Sequence, residues 1–294
     1  MRLSNIVMTG VFGAALICAE SIREQWDFKV THYSVHTKKI QGGAKAPKII
    51  FLSDLHSHEY GKKNERLLHA IAKETPDLIL IGGDMLVGKP GRLPETALHF
   101  VSELPKIAPV FYANGNHEQR VKENTEKYGS IFSVYRKKLR EAGVHFLENE
   151  SVIKELNGIS LKITGVELPM ETYKKFRHYP VVAEDVTKKV GTVGEEELFQ
   201  ILLAHNPAYY PAYKKWGADL VLSGHLHGGI VRIPGWRGVI TPQVCLFPKY
   251  SGEMTQEDGK SIIVSRGLGT HTINFRLFNV PEVIVLEIFG EIGE

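Results

Sequence analysis

Near-continuous apolar runs recur along this chain, each cut off by a glycine, an acid, an amide or a histidine. Residues 47–53, 77–83, 109–113, 201–204 and 219–223 are too short for helices and lack a regular polar face, the pattern of strands buried on both sides. Residues 26–35 alternate instead and read as a half-buried strand, with a turn over 41–45 before the next run. The content of 64–75 and 129–143 is helical, with Gly or Pro near each end. Residues 144–163 read as two short strands joined at Asn157-Gly158, a favoured hairpin turn. Two closing strands are expected at 261–265 and 283–289. Residues 166–193 are polar, lysine-rich and poorly periodic, and are expected to form a variable loop or cap. Strands alternating with helices place the chain in the α/β class.

The amino terminus departs from this pattern. Ile6 to Ala19 is fourteen residues without a charge, short of the ~20 that a spanning helix needs. Extended over Met1–Glu20 it reads as a single N-terminal membrane anchor or uncleaved signal. A packed amphipathic helix is the alternative. The expected organisation is 1–25 anchor, 26–46 connecting strand and turn, and 47–290 catalytic domain.

Composition is that of a globular protein: 43% hydrophobic and 23% charged over 294 residues, with a net charge of +3. That charge is small and dispersed, which argues against sequence-specific nucleic-acid binding. Two cysteines, Cys18 and Cys245, make no disulfide framework and are expected to be reduced.

The chemistry lies where the apolar runs stop. In order come Asp54-Leu55-His56, Gly83-Asp84, Gly115-Asn116-His117-Glu118, His205, and Gly224-His225-Leu226-His227. Carboxyl ends of strands are where α/β sheets usually carry their sites. Alternation along a strand would point Asp54 and His56 the same way. Apart from His117 and Glu118, the set offers two carboxylates, one amide oxygen and four imidazoles. That is too many for one catalytic ion, which takes three or four protein ligands, and suits two ions sharing a carboxylate. Mixed oxygen and imidazole donors favour Mn, Fe or Zn over Ca. Alone, His205 or Asp84 is an ordinary loop residue; the ordered set is not. His58 reads as a solvated loop residue, with an extra ligand or a substrate contact as the alternative. His69, His99, His145 and His178 read as non-ligands, and two readings of His271 stay open, in the pocket lining or apart from it.

With these five motifs in order, residues 47–288 resemble the calcineurin-like metallophosphoesterase family. The resemblance implies a four-layer sandwich of two mixed β-sheets flanked by helices. It implies one metal held by Asp54, His56, Asp84 and His227, and a second held by Asp84, Asn116, His205 and His225, with Asp84 bridging. His117 would be the general acid or a positive partner for the phosphate. The implied reaction is hydrolysis of a phosphomonoester or phosphodiester by a metal-activated hydroxide. Residues 202–207, 223–229, 266–269 and 281–282 are similar to a small bacterial YkuE-like branch with membrane-associated members, which implies a catalytic domain outside the cytoplasm, a cytoplasmic one being the alternative. Two other functions stay open: hydrolysis of lipid or lipid-linked nucleotide (pyro)phosphates, suggested by aromatic segments 234–236 and 275–278, and a non-catalytic metal-binding scaffold. Val87 stands where many relatives carry an acid that pairs with the motif histidine. Leu226 and Ile230 also depart from the branch. The Gly-Asp-x-x-Asp-Arg-Gly form of protein Ser/Thr phosphatases is absent.

Overall fold

The computed structural model describes residues 3–40, 43–174, 179–194, 197–233, 238–241, 246–270 and 274–291, with the backbone alone at 3–7, 9 and 10. His178, His271, Cys245, 234–236 and part of the 41–45 turn lie outside the described residues.

Helix α1 (Leu3–Gln25) leads into β1 (Lys29–Thr37). Then follow β2 (Lys48–Leu52), α2 (Glu65–Lys73), β3 (Leu78–Ile81), α3 (Glu95–Glu103) and β4 (Val110–Tyr112). Three helices, α4 (Asn116–Glu123), α5 (Thr125–Tyr128) and α6 (Ile131–Glu141), precede β5 (Val144–Phe146). The second half runs β6 (Glu150–Leu156), β7 (Ile159–Val166), α7 (Ala183–Val190), β8 (Phe199–Ala204), α8 (Tyr210–Trp216) and β9 (Leu220–Ser223). A small ribbon, β10 (Val231–Arg232) with β11 (Gly238–Ile240), is followed by β12 (Met254–Glu257), β13 (Lys260–Val264) and β14 (Glu282–Gly290).

These strands build two six-stranded mixed sheets, ordered β1-β14-β2-β3-β4-β5 and β12-β13-β9-β8-β7-β6. Side-chain parity explains the layering. Ile49 and Phe51 of β2, Leu78 and Leu80 of β3, and Ile201 and Leu203 of β8 meet in the core between the sheets. The alternate residues face the helices. Ile50, Leu52, Ile79 and Ile81 pack in the core that holds Leu67, Phe100 and Leu139 of α2, α3 and α6. Leu202 and Ala204 pack with Val186 and Tyr213 of α7 and α8. Being buried on both faces is why these strands read as continuous apolar runs. The result is the four-layer sandwich. Because β2, β3 and β4 are mutually parallel, as are β7, β8 and β9, their carboxyl ends gather on one rim.

Three expectations are corrected. Residues 144–163 span parts of three strands, because β5 joins β4 in the first sheet while β6 and β7 form the hairpin in the second. Its turn is as expected, with Asn157 and Gly158 both left-handed at φ 53° and 80°. The segment 166–193 is not irregular throughout, since α7 buries Ala183 and Val186.

The third correction concerns localisation. Among the described residues no helix is long and apolar enough to cross a membrane, so the expected N-terminal anchor, the membrane localisation and the extracytoplasmic placement built on it are withdrawn. The last turns of α1 carry Glu20, Arg23 and Glu24 and dock on protein. Ser21 and Glu24 are buried. The Ser21 hydroxyl accepts from the Arg276 amide at 3.1 Å, and the Glu24 carboxylate accepts from the Asn279 amide at 2.9 Å. Cys18, on the same helix, is exposed and free.

Candidate metal centre

Strand geometry does not persist through Asp54 and His56. Strand β2 stops at Leu52, and Asp54, His56 and Ser57 all adopt left-handed backbone, at φ 55°, 47° and 57°. Asp84, His225 and His227 do the same at φ 55°, 70° and 52°. Such conformations cost roughly 1–3 kcal/mol each and persist only where neighbours over-determine them. Here the neighbours are backbone bonds between loops. Asp54, His56 and Ser57 donate their amides to Gly83, Asp84 and Met85, and Gly269 donates to Asp54. The two motif loops after β3 and β4 also touch directly. A Cβ on Gly83 would run into the Gly115 amide, and one on Gly115 into the Asp84 carboxylate, so only glycine allows this approach.

The turns aim seven side chains into one space. Asp84 Oδ2 lies 3.2 Å from His205 Nε2, 3.8 Å from His56 Nε2 and 4.0 Å from His117 Nε2. Asp54 Oδ1 lies 3.4 Å from His227 Nε2, 3.7 Å from His56 Nε2 and 3.8 Å from His205 Nε2. Ligand atoms within each of the sets Asp54–His56–His227 and Asp84–His205–His225, and in His56–Asp84–His117 between them, lie within 4.8 Å of one another. Donors at about 2.0–2.2 Å from one ion stand at most about 4.4 Å apart, so only slight tightening separates these sets from coordination. The Oδ1 of Asn116, the residue before His117, is buried without a hydrogen-bond partner.

Flanking groups hold these donors in a ligating form. Each of His205 and His227 places Nδ1 on a carbonyl, Gly82 at 2.7 Å and Gly269 at 3.0 Å. A carbonyl only accepts, so Nδ1 carries the proton and Nε2 faces inward, as in metal-binding histidines. The Asp54 carboxylate accepts from Ser53 Oγ at 2.6 Å and from the His225 amide at 3.0 Å, and Asp84 Oδ1 from the His117 amide at 2.8 Å. Glu118 ties the loops together, accepting from the amides of Asp84, Leu86 and Gly115 and from the Tyr112 hydroxyl. Burial, together with the nearby Asp84 charge, pushes Glu118 up to about 7.

The electrostatics call for a cation. Burial would raise the Asp84 carboxyl, yet the histidines around it, His205 foremost, hold it well below the usual carboxylate range. Burial would lower His205, but Asp84 and then Asp54 raise it to about 10. His225 is the reverse: burial first, then the neighbouring His205, depress it to about 3, which leaves the neutral ligating imidazole. Oriented lone pairs and carboxylates facing one another across 3–4 Å fit divalent ions better than water.

His117 opens α4 and is buried. Its Nδ1 meets the Arg120 guanidinium at 3.0 Å. Arginine only donates, so Nδ1 accepts and the ring proton sits on Nε2, toward Asp84. Arg120 is a positioning group missed in the sequence; its signal was an arginine three residues on along a helix, one turn away. Tyr173 was missed too. Its ring lies 5.0 Å from that of His225, edge-on, and 6.1 Å from that of His205. His58 is not a solvated loop residue: it packs between Trp26 and Tyr60, with ring centroids at 5.7 and 4.6 Å, and burial lowers its pKa. His69 and His145 are exposed, and His99 is partly buried. Val87 and Leu226 displace no ligand atom.

The signature of the calcineurin-like phosphoesterases matches residues 47–229. The chain belongs to this family. It is 31% identical over 285 residues to an uncharacterized metallophosphoesterase of Aquifex aeolicus, covering 96% of this chain and 99% of that one. It is 29% identical over 250 residues to the phosphodiesterase YaeI of Escherichia coli, with 82% of each covered. An uncharacterized metallophosphoesterase of Bacillus subtilis, YkuE, is 25% identical over 271 residues, 88% of this chain and 85% of its own. The protein is therefore an enzyme, a metal-dependent phosphoester hydrolase, and carries residues able to hold the metal.

Proposed function

We propose that this chain hydrolyses a phosphomonoester or phosphodiester at a centre of two divalent ions, Mn, Fe or Zn. Asp54, His56 and His227 would hold one ion and Asn116, His205 and His225 the other, with Asp84 shared. The observation that carries the reading is Asp84 Oδ2, which faces the Nε2 atoms of His56, His117 and His205 within 4.0 Å; the Oδ1 of Asn116, the residue before His117, is buried without a hydrogen-bond partner. When bound, two ions supply a water acidic enough to attack phosphorus and neutralise the charge that develops there.

The rest falls to the chain. The Gly82 and Gly269 carbonyls fix the tautomers of His205 and His227. Ser53 and the His225 amide keep the Asp54 carboxylate aimed. His117, its Nδ1 occupied by Arg120, presents Nε2–H to a non-bridging or leaving oxygen of the substrate and, as a neutral ring, donates a hydrogen bond to the charge that develops there, the departing oxygen taking its proton from solvent. Purified protein with Mn²⁺ should hydrolyse an aryl phosphate mono- or diester, and Asp84→Asn or His225→Ala should abolish this. Unchanged rates in both variants after metal stripping would overturn the reading, and bound metal without activity would leave a metal-binding scaffold.

A further inference from the structure

Beside the centre opens a cavity of about 340 Å³ whose lining includes the buried His56. Val87, Leu93 and Pro94 give it apolar walls, Lys89 and Arg92 contribute two cations, and Glu95 one carboxylate. The cations are placed by a turn. Pro90 and Gly91 occupy its two central positions, Gly91 at φ 68°, and the Arg92 amide donates to the Lys89 carbonyl at 3.2 Å. Lys89 and Arg92 are thus paired directly across an antiparallel bridge, and residues so paired project from the same face of the ribbon. Like charges placed this way repel and destabilise the turn. Among the described residues no carboxylate lies within ion-pair distance of either cation. The strap is also fixed to the catalytic helix, because a Cβ on Gly88 would run into Val121 of α4.

An opposed, exposed cation pair with no carboxylate at ion-pair distance, lining a cavity that reaches the buried His56, is suited to a substrate anion. Val87 matters here: an acid at that position would have placed a negative charge in the same wall. We propose that this cavity binds the leaving portion of the substrate and selects esters whose leaving group carries a second negative charge, a carboxylate or a further phosphate, held between Lys89 and Arg92. The proposal rests on the phosphoesterase reading of the adjoining centre and names its substrate class.

Two isosteric diesters that differ by one charge test it: phenyl 4-carboxyphenyl phosphate and its 4-carboxamide counterpart, hydrolysed by the Mn²⁺-loaded protein. Two exposed cations should favour the carboxylate by about fivefold in kcat/KM at low salt, falling toward unity at high ionic strength. Lys89→Ala/Arg92→Ala should erase the preference while hydrolysing the carboxamide within about twofold of the wild-type rate, and Lys89→Glu/Arg92→Glu should invert it. Both positions are exposed, so neither double variant threatens the fold. A preference that survives in the double variants, or none in the wild type, would overturn the proposal. Titrating 4-carboxybenzylphosphonate and its carboxamide, whose P–C bond replaces the scissile P–O bond, into the same proteins reads the cavity without turnover. Equal affinities in wild type would sink the cavity reading, whereas discrimination without hydrolysis of either ester would count against the catalytic reading alone.

Discussion

The guanidinium of Arg120 donates to Nδ1 of His117 across one turn of α4. An acidic partner on Nδ1 would favour the doubly protonated ring; a guanidinium selects the neutral tautomer with its proton on Nε2. Arg120→Met should therefore release that tautomer. The expected result is a fall in kcat of about tenfold or more for esters with poor leaving groups and a smaller fall for nitrophenyl esters, less than removing a preorganised hydrogen-bond donor outright would cost. The slope of log kcat against leaving-group pKa reads this directly. A uniform drop across the series would assign Arg120 to folding alone.

Asn116 presents a buried amide oxygen without a partner, which costs about 1–3 kcal/mol in a protein without bound metal. Asn116→Ala should leave the chelator-treated protein as stable as wild type or more so, yet lower metal content from two ions toward one. Urea denaturation and elemental analysis on the same samples check both halves. Lower apo stability with full metal content would exclude the proposed role.

Five proposed ligands sit in left-handed backbone: Asp54, His56, Asp84, His225 and His227. Metal binding to the folded form alone should hold these turns against unfolding. At a free ion concentration a hundred times its dissociation constant, each site adds about 2.7 kcal/mol. Chelation should then lower Tm by about 5 °C or more, and Mn²⁺ should restore it. An unchanged Tm would mean that no ion is bound at these turns.

Glu148 lies away from the ligands but ties their loop to the helical layer, accepting from Asn114 at 3.2 Å, Lys122 at 2.8 Å and Arg136 at 2.6 Å. Burial would raise its carboxyl, but Lys122 and Arg136 together hold it below 4.5. A depressed carboxylate contributes stability that is present above the unfolded pKa and lost as pH falls through the folded value. Glu148→Gln should destabilise at pH 7, and the gap from wild type should close below about pH 4. A gap that stays constant with pH would trace the effect to shape rather than charge.

The sequence made the strands legible because burial on both faces leaves a continuous apolar word, as in Ile49 to Leu52 and Leu78 to Ile81. It made the candidate ligands legible because they stop those words. What it could not show is arranged by contacts far apart in sequence. Strand β14 enters between β1 and β2, which no local pattern announces. Tyr173 reaches His225 from a single 3-10 turn in a polar stretch. Asp54 and His56 converge through strained turns where strand alternation would have done the same job, so the right pair followed from the wrong geometry. The apolar count of α1 suggested lipid; the capping of Asn279 and Arg276 by Glu24 and Ser21 lies 255 residues away.

Asn279 has a further consequence. Its backbone amide is held by Glu24, while its side-chain amide donates to the carbonyls of His227 at 2.7 Å and Gly229 at 2.5 Å. One residue near the carboxyl terminus thus clamps a helix near the amino terminus to a loop carrying a proposed ligand. The span shared with the family ends at residue 229, short of Asn279, of Gly269 and of β14. An expression boundary drawn at that span, or a cut that removes Glu24, would keep every proposed ligand in the polypeptide and take away what steadies the loop of His227.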